Sequence, residues 1–177
     1  MEVGISAGSN LGDRLAALTE ALRCVAAIPG VRIAAVSSVY ETEPVDVPDR
    51  FQDRPFLNAA AALECELTPA RLAAALHGIE KRMGRVRGPE RNAPRPIDLD
   101  IIYAGRRRIA ARALRVPHPR WAERRFVVAP LAEIRPELIV PGQKRPVREI
   151  LESLPKIPRA KRWRKKWCEL GTERTIT

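Results

Sequence analysis

The sequence predicts an α+β sandwich built on a largely antiparallel sheet. Apolar alternation and helical apolar spacing follow one another as β-α-β and again β-α-β, the joins are hairpin-like, and no repeat or linker divides the chain. At 177 residues it is long enough for one domain that buries most of its apolar surface, and short for two.

Val3, Ile5 and Ala7 share a face, so Glu2 to Ala7 reads as a first strand ending in the turn-rich Gly8-Ser9-Asn10-Leu11-Gly12. Asp13 is placed to cap a helix whose Leu15, Leu18, Leu22 and Val25 recur at helical spacing, until Pro29-Gly30 stops the run. The β-branched stretch Val31 to Tyr40 predicts a second strand. Between Glu41 and Pro55 lies a proline-bearing loop long enough to suggest function. Leu57, Ala59, Ala61, Leu63, Cys65 and Leu67 alternate with polar neighbours as a third strand. Thr68-Pro69 then caps and opens a helix with Leu72, Leu76, Ile79 and Met83 inward, closed by Gly84. An arginine loop, Arg85 to Pro96, leads into a strand around Asp98-Leu99-Asp100. Arg106-Arg107-Arg108 reads as a hairpin tip, Val116-Pro117-His118-Pro119 as a rigid connection and Trp121 to Leu131 as a helix. Pro146 opens a last one, with Val147, Ile150, Leu151 and Leu154 inward.

The net charge of +11 at first suggests a nucleic-acid partner, but seven of those charges fall within Lys156 to Trp167, where no acid occurs. The remainder is only mildly basic. Cys24, Cys65 and Cys168 have no metal-ligand spacing and read as reduced thiols. No leader pattern or membrane-length apolar run is present, so a soluble cytoplasmic chain without a membrane partner, and a monomer, is expected.

The most telling segment is Pro94 to Ile102. On a strand, Ile97, Leu99, Ile101 and Tyr103 take one face and Asp98 and Asp100 the other. Two acids in an apolar strand cost stability unless solvent, a cation or arginine compensates. Arg85, Arg87, Arg91 and Arg95 precede them against the single acid Glu90, the mix needed to hold a polyphosphate and its divalent metal. Magnesium takes one or two carboxylates and completes its octahedron with waters and phosphate oxygens. A plainer alternative stands beside this, a solvated sheet end neutralised by nearby arginines. A glycosidase pair would not call for the arginines. Zinc is disfavoured, because His77 and His118 have no partner at ligand spacing.

Seven ordered segments, among them Gly8-Ser9-Asn10-Leu11-Gly12, Tyr40-Glu41-Thr42-Glu43-Pro44, Phe56-Leu57-Asn58, Gly84-Arg85-Val86-Arg87, Arg95-Pro96-Ile97-Asp98-Leu99-Asp100 and Val116-Pro117-His118-Pro119-Arg120, together resemble the 6-hydroxymethyl-7,8-dihydropterin pyrophosphokinases of folate biosynthesis. The resemblance covers roughly residues 1–155, leaving 156–177 as a basic extension. It implies a ferredoxin-like α-β-α sandwich and transfer of diphosphate from ATP to the pterin hydroxymethyl oxygen, releasing AMP. By similarity Asp98 and Asp100 would hold two magnesium ions. Arg85, Arg87 and Arg95 would close on the triphosphate, with Arg85, Arg95 and Asp100 catalytic. Glu80, Ile101, His118 and Arg124 would meet ATP. Thr42, Pro44, Val45, Phe56, Asn58 and Phe126 would form the pterin pocket. Asn92, Asp46 and Ala113 depart from residues common in the family.

The rival reading is an RNA-binding α+β module using the basic tail, with Trp163 and Trp167 as stacking groups. It leaves the two aspartates unexplained. Removing Lys156 to Thr177 separates the readings: on sequence grounds an enzyme keeps its activity, whereas an RNA binder loses salt-sensitive affinity.

Overall fold

The computed structural model describes residues 1–45, 47–86, 93–157, 159–164 and 167–168. In chain order its elements are β1 (Glu2–Ser9), α1 (Arg14–Ala26), β2 (Val31–Val36), β3 (Val39–Thr42), β4 (Phe56–Cys65), α2 (Pro69–Arg82), β5 (Asp98–Ala104), β6 (Ile109–Ala110), β7 (Arg115–Val116), α3 (Arg125–Ile134), α4 (Val147–Ser153) and β8 (Ala160–Arg164). The main sheet runs β5-β1-β4-β3-β8, with β2 also on β4, and its pairs are antiparallel. One face carries α1 and α2 over Val3, Ile5, Leu63 and Leu99. The other carries α3 and α4 over Ala60, Ile102 and Tyr103. The result is the expected α-β-α sandwich.

Local signals account for much of it. Asp13 accepts the Ala16 amide at 3.0 Å, and Leu18, Ala21, Leu22 and Val25 are the buried stripe of α1. Thr68 accepts the Arg71 amide, with Pro69 at the first helical position. Such a cap contributes about 1 kcal/mol. Gly84, at φ +84°, ends the α2 segment in a conformation that L side chains avoid. Its neighbour Arg85 turns back, its amide donating to the Glu80 carbonyl at 3.0 Å.

Four readings change. The strand drawn over Val31 to Tyr40 is two strands, because the Ser37 hydroxyl takes the Ala60 amide at 2.9 Å while donating to the Ser38 carbonyl at 2.7 Å. Side-chain bonds of this kind displace the ladder. Tyr103 does not share the face of Ile101. A register shift between Gly4 and Ile5, where Gly4 meets Tyr103 but Ile5 meets Ile101, leaves Ile102 as an extra residue and turns Tyr103 towards α3 and α4. Arg106 to Arg108 do not tip a hairpin on β5, since the following β6 pairs with β7. The helix expected from Trp121 is a short 3-10 turn over Trp121–Glu123 followed by α3.

The basic tail also has structure. β8 pairs with β3, and Trp167 Nε1 donates to the Ser37 carbonyl at 2.8 Å while its ring packs against the main core. Trp167 is therefore not presented as a stacking platform for bases. Among the described residues no helix is long and apolar enough to cross a membrane.

Candidate active site

The ends of β1, β4 and β5 converge with the start of α3 around a pocket. β1 contributes Ser6, Ala7 and Gly8 to its wall; β3 and the loop after it contribute Thr42, Glu43 and Val45. Phe56 and Asn58 come from β4, and Phe126 and Val127 from the first turn of α3. Arg95, Asp98, Asp100 and Arg124 complete it, so acids and arginines share a chamber with two aromatic rings.

Register explains the grouping. Gly8 faces Asn58 on one side and Asp98 on the other, while Ser6 faces Asp100. Alternation then puts Leu99 and Ile101 into the core and both aspartates on the pocket side. Asn58 Nδ2 donates to Thr42 Oγ1 at 2.8 Å, bridging β4 and β3. An added Cβ at Gly8 would lie 2.9 Å from Asn58 Oδ1.

The charges are unevenly matched. Arg85 Nη1 donates to both Glu80 Oε1 and Asp98 Oδ1. Glu80, although an acid, is 2% exposed, because Arg85 and the Leu99 amide at 2.8 Å compensate it. Burial opposes the charge of Arg85, but Asp98, Glu80 and Asp100 outweigh it and hold the pKa above the ordinary value. Arg95 Nε stands 3.1 Å from Asp98 Oδ2 as an ion pair but lacks hydrogen-bond alignment. Its guanidinium lies 5.6 Å from the Phe56 ring centre, and that of Arg124 lies 5.5 Å from the Phe126 ring centre. Asp100 is the group left wanting. Burial first, then the negative charges of Asp98 and Glu80, push its pKa up to about 6, and Arg85 and Arg124 offset this only in part.

A hard cation with oxygen ligands fits that deficit. Among the described residues no set of three His, Cys, Asp or Glu could hold a metal. Asp98 and Asp100 would thus supply two carboxylates to a cation completed by water and phosphate oxygens. His118 adds no ligand set. Burial, then Arg124 and Arg120, lower its pKa to about 4, and its Nδ1 accepts the Arg120 amide at 3.2 Å, which leaves the ring proton on Nε2.

Nine of the residues singled out from the sequence meet on the pocket wall: Thr42, Val45, Phe56, Asn58, Arg95, Asp98, Asp100, Arg124 and Phe126. Arg85 and Glu80 stand behind Asp98, Ile101 packs in the core, and Pro44 and His118 lie off the wall. Arg87, Asp46 and Asn92 fall outside the described residues. Ala113 is exposed between β6 and β7.

Sequence reasoning missed Ser6, Ala7, Gly8, Glu43 and Val127. It also read Gly8 to Gly12 as a plain turn. Asn10 brackets Arg95, its side-chain Oδ1 accepting the Arg95 backbone amide at 2.9 Å and its backbone N–H donating to the Arg95 carbonyl at 3.2 Å.

Comparison with known proteins agrees with this architecture. The family model for 7,8-dihydro-6-hydroxymethylpterin-pyrophosphokinase (HPPK) matches residues 4–136. A 2-amino-4-hydroxy-6-hydroxymethyldihydropteridine pyrophosphokinase of Methylorubrum extorquens is 44% identical over 147 residues, covering 83% of this chain and 89% of the relative. A protein of the same description from Bacillus subtilis is 44% identical over 130 residues, covering 73% and 75%. The crystal structure of an HPPK-DHPS protein in complex with substrates superposes with a TM-score of 0.69 over 86% of this chain and 44% of that one. At 13% identity, that likeness is one of fold. The chain belongs to the 7,8-dihydro-6-hydroxymethylpterin-pyrophosphokinase family. It is accordingly an enzyme, a transferase of folate biosynthesis.

Proposed function

We propose that this pocket carries a diphosphoryl group from ATP to the hydroxymethyl oxygen of 6-hydroxymethyl-7,8-dihydropterin, with magnesium bound by Asp98 and Asp100. The observation that supports this most is the juxtaposition, in one chamber, of a crowded carboxylate pair with arginines and of an amide with two aromatic rings. Phe56 and Phe126 offer faces to a flat heterocycle, and Asn58, fixed by Thr42, offers an amide to its edge. Pro44 and Val45 would close that side. Arg95, Arg124 and, once released from Asp98, Arg85 bear on the phosphates, with Arg87 and His118 assigned to the nucleotide by similarity. Glu80 and Ile101 act from behind, Glu80 by holding Arg85 and Ile101 by packing the strand that carries the acids.

In the step itself the pterin oxygen bonds to the β-phosphorus of ATP, the bond from that phosphorus to the α,β-bridging oxygen breaks, and AMP leaves. Bound magnesium would supply neutralisation of the phosphate oxygens. The arginines orient the chain of phosphates and stabilise charge as it moves to the departing AMP. Asp100, a carboxylate on the pocket wall, would accept the hydroxyl proton.

Purified protein given ATP, magnesium and the pterin should form AMP and pterin diphosphate in equal amounts, read by chromatography. ADP as the sole nucleotide product would overturn the reading. Gly8→Ala tests the pterin side. Its methyl should displace the Asn58 amide and raise KM for the pterin about tenfold, with little change for ATP.

A further inference from the structure

We propose that β8 is a positioning element of the pocket: by pairing with β3 and seating Arg162 against Tyr40 and Glu133, it holds the wall that carries Thr42. The inference rests on the reading of that wall as the pterin side. It concerns a segment beyond residues 4–136, where the family match ends.

β3 is a weak strand on its own. It has four residues, and its register with β4 is limited to Tyr40 with Asn58, Glu41 with Leu57, and Thr42 with Phe56. With its other side open it would be a short frayed edge leading into the loop of Glu43 and Val45. β8 covers that side, matching Val39 with Arg164, Tyr40 with Arg162, Glu41 with Lys161 and Thr42 with Ala160. The backbone that carries Thr42, and through it the Asn58 amide, is therefore paired on both sides.

Side chains extend the clamp to the opposite wall. Arg162 Nη2 lies 3.5 Å from the Tyr40 hydroxyl and 4.0 Å from Glu133 Oε2, and its guanidinium stands 5.9 Å from the Tyr40 ring centre. Glu133 also accepts the Ser38 amide at 3.1 Å, the Ser38 hydroxyl at 2.7 Å and the Tyr40 hydroxyl at 2.8 Å. It sits on α3, the helix whose first turn supplies Phe126 and Val127. One guanidinium from the tail thus joins the strand of Thr42 to the helix of Phe126. Farther on, Trp167 pins Ser37, the residue at the break before β3. The competing account is that β8 only protects an edge, since Lys161, Arg162, Trp163 and Arg164 are exposed and their charge deters further pairing. Edge protection alone would leave kinetics untouched.

The test compares the full chain, a chain ending at Pro155, Arg162→Ala and Arg162→Lys. Arg162→Ala should raise KM for the pterin about fivefold, leave kcat and KM for ATP nearly unchanged, and speed amide exchange at Val39–Thr42. Arg162→Lys, which restores the charge, should recover part of the loss. The shortened chain should show the same selective KM effect, larger in size. If it does not fold, Arg162→Ala decides. An unchanged pterin KM in Arg162→Ala, or equal rises for both substrates, overturns the proposal, as does unchanged exchange at Val39–Thr42. Faster exchange in Arg162→Ala, with no turnover by the full chain, supports the clamp and overturns the pterin reading alone.

Discussion

Asp100→Asn should abolish diphosphoryl transfer and, in the metal-free protein, raise stability at pH 8. Both outcomes follow from one feature. The folded-state pKa of Asp100 stands near 6 against an ordinary value of 3.8, because it is half-buried beside Asp98 and Glu80. A carboxyl whose pKa rises on folding favours the native state where it is protonated in both states, below about pH 4. That contribution disappears as the pH climbs to 6, and beyond 6 the ionised group is a net cost. His118, with its lowered pKa, acts in the opposite sense, so stability due to it is lost as the pH falls from 6.5 towards 4. Comparing the variant with the parent isolates Asp100 from this background. Removing the charge should yield about 2 kcal/mol at pH 8, seen as a melting temperature higher by about 5 °C, and no gain at pH 3.5. Turnover should fall by about a thousandfold or more, since one of the two carboxylates proposed to hold the metal is lost. Parental turnover would remove Asp100 from the proposed metal site. An equal stability change at both pH values would show that its charge is not crowded.

The parts of the molecule that were legible in the sequence are those whose partners lie nearby along the chain. Asp13 caps an amide three residues on, Thr68 does the same beside Pro69, and the two-residue spacing of Asp98 and Asp100 alone puts them on one face. The misreadings depend on distant partners. The Ser37 hydroxyl takes the amide of Ala60, 23 residues away, and nothing in a β-branched run announces that its strand will break for such a bond. The turn of Tyr103 follows from a pairing shift against Gly4, which no alternation pattern records. In the tail, Lys-Arg-Trp-Arg looks like a solvated charge run. It becomes a strand because β3 offers an unpaired edge and Glu133 a carboxylate.

The same logic applies to the site. Carboxylates, arginines and aromatics announce their chemistry by type, and nine of those chosen meet on the wall. Ser6, Ala7 and Gly8 contribute small side chains and close backbone, which carry no chemical signature until the register with Asn58 is known. If the proposal for β8 holds, removing 156–177 should weaken the enzyme rather than spare it, because β8 pairs with β3 beside the pocket.

Arg85→Ala should lower kcat by about a thousandfold and also destabilise the protein, and the two losses should separate in Arg85→Lys. Arg85 now serves two acids at once. Its side chain is 17% exposed, that of Glu80 3%, and both Glu80 and Asp98 take their bond from the same Nη1. Truncation to alanine takes from the buried Glu80 the guanidinium that it shares with Asp98. Breaking a buried pair in this way costs about 3 kcal/mol. Lysine can restore a charge to the acids but not a planar fork to a phosphate. Arg85→Lys should therefore melt close to the parent while kcat stays at least about a hundredfold down. Thermal denaturation and single-turnover release of AMP read the two effects separately. Full activity in Arg85→Lys would restrict this residue to neutralising Glu80 and Asp98. The task of stabilising the transferring group would then pass to Arg95 and Arg124.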